Sequence, residues 1–163
     1  MLLVSPLKPV QIIVGKVTPY IVLSVINAFS ILLLGYFVFG VPIRGSIGLL
    51  LFETILFIVM ALSMGILIST IARNQQIALM ISLAGLMLPT ILLSGFIFPV
   101  ENMPIVLQWL SNIMPSKWFI IIIRSIMLKG SEIIYIWKET MILLLMISIF
   151  ISLSIRNFKV RLE

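Results

Sequence analysis

All the acid in this chain comes from five glutamates, Glu53, Glu101, Glu132, Glu139 and Glu163, and no Asp, His or Cys accompanies them. That inventory limits the chemistry. Without His or Cys there is no zinc or haem–histidine site, no thiol catalysis and no disulfide. Serines are plentiful, but a Ser-His-Asp triad cannot be assembled from them alone. The glutamates are too scattered for a paired-acid site, and no GxxxxGK[ST] loop is present to cradle the phosphates of ATP. The expectation is a non-enzyme with no cofactor and no metal. One acid stands out: Glu53 lies inside a long apolar run, where an ionisable group is costly and is a functional candidate by default. No second acid lies in any such run to receive a proton, which counts against a relay. The alternatives for Glu53 are a wet vestibule or pairing with Arg44 or another loop cation.

What must position Glu53 is a membrane bundle. The 163 residues are 62% hydrophobic and 10% charged, where a soluble domain has roughly 45–50% and about 25%. A soluble fold of this size would leave apolar surface exposed over most of its area. The length allows one domain and, at about 20 apolar residues per crossing, a handful of spans. The net charge of +6 points to membrane topology and anionic headgroups before nucleic acid.

The opening MLLVSPLKPVQIIVGK lacks the charged region, unbroken core and cleavage site of a signal peptide. Residues 1–16 read as an interfacial approach segment with Lys8 and Lys16 at the headgroups. Residues 17–43 hold no charge; less the turn at 40–42, they are long enough for a first span. Ser46 can cap a second span over 47–72. A polar link at 73–76 leads to a third span over 77–98, interrupted by Pro89, whose freed carbonyl can find another partner in a bundle. Two short helices over 105–114 and 119–128 follow, set off by Pro99, Glu101, Pro104 and Pro115. Arg124, Lys129 and Glu132 make a crossing here expensive, so these helices lie on one face or re-enter it, with Arg124 facing water or lipid phosphate. A last span covers 140–155, and 156–163 is a basic tail. The fold class is an all-α integral membrane protein with about four transmembrane helices and two short re-entrant or interfacial helices before the last.

Four spans put both termini on one side. Lys8, Lys16, Arg73, Arg156, Lys159 and Arg161 share that side, and basic residues in short loops mark the cytoplasm. Ala61, Gly65 and Ser69 recur every four residues along the second span, a stripe that lets another helix approach closely. Ordinary packing within the chain is the first expectation for it; a second membrane subunit or a substrate path is the sharper one. Asn27, at mid-depth in the first span, reads as interhelical glue.

Several stretches resemble a known family. SGFIFPVENMPIVLQWLSNIMPSKWFIIIIRSIMLKG, residues 94–130, is similar to the segment between the last two spans of ABC type-2 export permeases of the bacterial multidrug type. LLVSPLKPVQIIVGKVTPY (2–20) resembles the segment leading into their second span; FGVPIRGS (39–46) and LISTIARNQQIALM (67–80) resemble the two turns that follow. The resemblance implies a six-span permease of which this chain corresponds to the C-terminal portion, with residues 17–155 its transmembrane domain. Residues 77–98 would be the fifth span and 140–155 the sixth, with the first span and the cytoplasmic elbow ahead of it, a missing N-terminal part, lying elsewhere. It implies an ABC ATPase partner contacted near Lys8, Lys16 and Arg73, and a second permease subunit in a homo- or heterodimer. It also implies residence in the cell membrane among lipids, with both termini cytoplasmic, and no nucleic acid. The function expected is a permease subunit of an exporter. The alternative is a truncated or structural membrane protein without transport of its own, and a small ion carrier is a weaker third.

Overall fold

Ser46 and Asn74 begin two of the helices by the means their side chains allow. Ser46 Oγ accepts from the Leu49 N–H at 3.5 Å, and Asn74 Oδ1 accepts from the Ile77 N–H at 2.8 Å. Each satisfies a donor that the first turn of a helix leaves open. The structure, a computed structural model, describes the backbone of residues 9–160 and the side chains of 15 and 17–157. Its helices are α1 (Pro9–Phe37), α2 (Ile47–Ile71), α3 (Gln75–Met80), α4 (Leu88–Leu93), α5 (Ile105–Ile113), α6 (Pro115–Lys129) and α7 (Ile133–Val160). A π-helical stretch, Ile81–Met87, joins α3 to α4, and a single 3-10 turn, Val100–Asn102, precedes α5. No strand occurs among the described residues. Four helical stretches are long and apolar enough to cross a membrane: Val17–Phe37, Ile47–Ile71, Gln75–Leu93 and Ile133–Asn157. The chain is an all-α multi-pass membrane protein.

The boundaries differ from those expected in ways that follow from single residues. α1 runs unbroken through Lys16 from Pro9, so the described part of the approach segment is the first turns of the spanning helix itself. The third span ends at Leu93 rather than Phe98, at a bend where Gly95 takes φ +77°. α6 starts at Pro115, not at Phe119, because the fixed φ and missing N–H of proline suit the first helical position. α7 starts at Ile133 rather than Thr140 and continues through the described part of the basic tail to Val160. Lys138 and Glu139 ride in its early turns without breaking it. Ahead of Pro89 the helix widens, and the Leu88 N–H reaches the Leu83 carbonyl five residues back. An α-helical register would press the proline ring on the Gly85 carbonyl and leave it unbonded.

The core lies where α2, α6 and α7 meet. Leu50, Ile122, Ile126, Ile136 and Leu143 are within 1% of complete burial. α2 and α7 run in the same direction: Glu53 meets Thr140 near their starts, and Ser63 and Ile66 share a cleft with Ile151 and Ser154 near their ends. The same cleft takes in Val17 and Ile21 of α1, so the start of α1 and the end of α7 lie at one end of the bundle. α6 lies antiparallel to the first half of α2. Phe119 stacks on Phe57 with ring centroids 3.9 Å apart, and eight residues later the Arg44 N–H donates to the Met127 carbonyl at 3.0 Å. This seam demands glycine. A Cβ on Gly45 would lie 2.6 Å from the Ile126 carbonyl oxygen, and Gly130, at φ +68° and beside Arg44, ends α6.

Candidate functional site

Glu53 is wholly buried, on the α2 face that also carries Leu50, Thr54 and Met60. Thr140 Oγ1 lies 2.7 Å from its Oε1, and this contact ties α2 to α7 across 87 residues of sequence. The described partner of the Glu53 carboxyl is this hydroxyl, not Arg44 or another loop cation. The reason is depth: Glu53 lies seven residues past Ser46, roughly 10 Å along the helix by its rise, inside the apolar core. Thr140 Oγ1 is also 3.0 Å from the Ile136 carbonyl, so a hydroxyl with one proton faces two acceptors. Glu53 Oε2 has no hydrogen-bond partner among the described residues, and the same holds for Glu139 Oε2 and Ser116 Oγ, all buried. Such groups are rare and costly when left dry. No group of three acids able to hold a metal occurs among the described residues.

The second constellation is the hinge between α5 and α6, which meet at 84°. Pro99 and Pro104 stand at the starts of the 3-10 turn and of α5, and Pro115 opens α6. Gln108 Nε2 donates to the Met103 carbonyl at 2.9 Å and to that of Glu101 at 3.3 Å. Lys117 Nζ donates to Asn112 Oδ1 at 2.6 Å and Ser111 Oγ at 3.1 Å and sits 5.3 Å from the Trp118 ring centre. Its burial among these groups holds the ammonium below its ordinary pKa. Trp118 Nε1 donates to the Asn112 carbonyl at 3.0 Å. Arg124 is exposed, as a residue facing water or lipid phosphate would be, and its Nη2 also donates to the Gly95 carbonyl at 3.3 Å, where it serves the bend that ends α4. Gln108, Ser111 and Lys117 thus spend their polar groups on the elbow's own backbone and side chains, while Ile105, Val106, Trp109 and Ile113 remain exposed. That arrangement suits a helix pair that re-enters a bilayer, because irregular backbone is tolerated there only where protein satisfies it.

The small-residue stripe is placed differently from the first expectation. Ala61, Gly65 and Ser69 are exposed, and a Cβ on Gly65 would meet nothing within 4 Å. α2 buries its opposite side, with Met60, Ser63 and Ile68. Asn27 is exposed too, so it is no interhelical glue within this chain. Arg73 is exposed at the turn after α2. Lys8, and the side chain of Lys16, lie outside the described residues. The structure therefore joins Pro99, Glu101, Pro104, Pro115 and Arg124 in one elbow and sets Glu53 apart from Asn27 and the stripe. Thr140 and Lys117 were missed as site residues. A hydroxyl facing a buried acid is set by helix packing, and only its place, at the start of an apolar run, hints at it.

Comparison with known proteins adds the family. Residues 1–128 match the model described as ABC-2 type transporter. The chain is 35% identical over 99% of its length to a probable multidrug ABC transporter permease of Escherichia coli K12, YbhS, covering 43% of that protein. It is 31% identical over 97% of its length to YhhJ of the same strain, described as an inner membrane transport permease, covering 42% of it. With ABC transporter G family member 23 of Dictyostelium discoideum it shares 32% identity over 88% of its length and 20% of the larger protein. The chain spans less than half the length of these relatives. No solved structure matches it.

Proposed function

Because the chain belongs to the ABC-2 type transporter membrane family, we propose that it is the C-terminal, membrane-spanning part of an exporter permease driven by a separate ATPase. The observation that supports this most is the gathering of the start of α1, the 72–74 turn and the end of α7 at one end of the bundle. That end carries Arg73 and Arg156 and, by position in the chain, Lys8 and Lys16, so the basic-residue rule makes it cytoplasmic in the cell membrane. An ATPase docked there would act on α1, which is continuous from Pro9 into the membrane and can carry a push along its axis. Lys8, Lys16 and Arg73 are the proposed contacts.

A second permease subunit, the same chain or a relative, is the proposed cover for the described surface that this chain leaves bare. α3, the π-helical stretch and α4 have no buried residue, and the Ala61–Gly65–Ser69 stripe is open to close approach. Movement at that interface would alternate access for a hydrophobic or amphipathic substrate. ATP hydrolysis belongs to the partner in this reading. Reconstitution tests it. The purified chain alone should show no ATP hydrolysis, and a cognate ABC ATPase should form a complex whose hydrolysis depends on the membrane chain. Charge reversal at Lys8 and Lys16 should weaken that complex more than reversal at Lys159 and Arg161. Failure to bind the ATPase, even with the N-terminal spans supplied in trans, would favour a structural membrane protein without transport.

A further inference from the structure

We propose that the cleft between α1, α2 and α7 binds one acyl chain of an anionic phospholipid, with its headgroup against Arg156. The cleft encloses about 180 Å³ and is walled by Ile21, Val59, Ile66 and Ile151, with Ser63 and Ser154 at its back. Neither serine offers a free proton: Ser63 Oγ donates to the Met60 carbonyl and Ser154 Oγ to that of Phe150, each at 2.7 Å. Apart from these serines and Thr18 at the α1 edge, the lining is hydrocarbon. An apolar cavity of about 150 Å³ stays dry and accepts a hydrocarbon guest. Here the guest is already at hand, because Ile151 is exposed and the other three walls are half-buried, so the cleft opens sideways to the bilayer.

Depth and charge choose the lipid. Ile66 lies 19 residues beyond Ile47, roughly 28 Å along the helix by its rise, close to the far edge of a core about 30 Å thick. A chain seated there has its headgroup at the end of the bundle where α1 starts and α7 ends. Arg156 stands one residue past Ile155, which lines the cleft, and is exposed with no hydrogen bond or ion pair among the described residues. Arg73 closes α2 at the same level, and Lys16 directly precedes Val17 of the lining. The four glutamates among the described residues, Glu53, Glu101, Glu132 and Glu139, all belong to the opposite half of the bundle. An anionic headgroup thus meets cations only, at the surface where such attraction acts.

The test is native mass spectrometry of the chain released from nanodiscs of equal parts phosphatidylglycerol and phosphatidylcholine. The wild type should retain one phosphatidylglycerol, at least fivefold over phosphatidylcholine. Ile151→Trp, which fills the cleft from its rim, should abolish retention of either lipid, with helicity by circular dichroism unchanged. Arg156→Gln, a surface change that folding tolerates, should keep one lipid but lose the preference, and Lys138→Gln at the other end should change nothing. Equal retention of both lipids by the wild type would overturn the proposal. So would unchanged retention in Ile151→Trp, which would place the lipid on the outer surface, or no retained lipid at all.

Discussion

α2 and the α3–α4 span are composed alike, yet a third of the most apolar window of α2 is buried and none of that of α3–α4. In water such strings would compete for the same core. In lipid, apolarity decides only that a helix crosses, since acyl chains suit a leucine as well as another helix does. What separates the two is polar. α2 carries Glu53, which meets Thr140, and its approach contains Gly45, which admits the α6 backbone. The α3–α4 span offers a widened turn and a proline, features that serve its own backbone. Burial in this bundle follows the few groups that lipid cannot satisfy.

That contrast predicts a ranking of substitutions. The largest effect is expected for Glu53→Lys, which strands a cation in the dry core. It should cost about 3 kcal/mol or more, near the insertion penalty of a lysine at a helix centre. Glu53→Gln keeps a donor and an acceptor beside Thr140 and should stay within about 1 kcal/mol of wild type. Thermal unfolding in detergent compares them; equal losses for both would mean that the α2–α7 contact does not organise the core.

Two glycines, Gly45 before α2 and Gly65 on it, sharpen the comparison further. Gly45→Ala should cost about 1–3 kcal/mol, as overpacking does, because the new methyl meets the Ile126 carbonyl. Gly65→Leu has open space before it and should leave the stability of the isolated chain within about 0.5 kcal/mol. Its effect belongs to association, read by cross-linking in membranes. A large loss of stability from Gly65→Leu would return the stripe to the interior of the chain.

The smallest effect concerns Lys117. Its pKa in the fold lies below the ordinary 10.5 because burial disfavours the charged form. Between the lowered value and 10.5 the unfolded chain binds more protons, so stability rises with pH across that window. Below it the penalty is fully present. A slight gain in melting temperature as pH climbs towards 10.5, absent in Lys117→Met, is the expected result; a gain that persists in the variant would assign it to other groups.

Much of this architecture was legible because bilayer thickness imposes run lengths on the sequence. The four crossings, the Ser46 cap and the paired helices before the last span follow from charge-free stretches, one serine and three prolines. The helix ends were less legible: Lys16, Lys138 and Glu139 look like boundaries in sequence, but at headgroup depth a helix continues through them. The site was legible by half. Glu53 announced itself as a lone acid in an apolar run, whereas Thr140 is an ordinary threonine until packing places α7 beside α2. The direction of the small-residue stripe could not be read either, since spacing defines a face and not what covers it.

Crossing number carries the whole account, and the chain has no cysteine, which makes labelling clean. Single substitutions Gln75→Cys, Asn102→Cys and Lys129→Cys, probed with an impermeant maleimide in oriented vesicles, measure it directly. Gln75 should label from one side, and Asn102 and Lys129 together from the other, because α5 and α6 bend back on the face they entered. Labelling of Lys129 from the side of Gln75 would make that pair a fifth span and contradict the fold, the shared end of the termini and the docking face built on it.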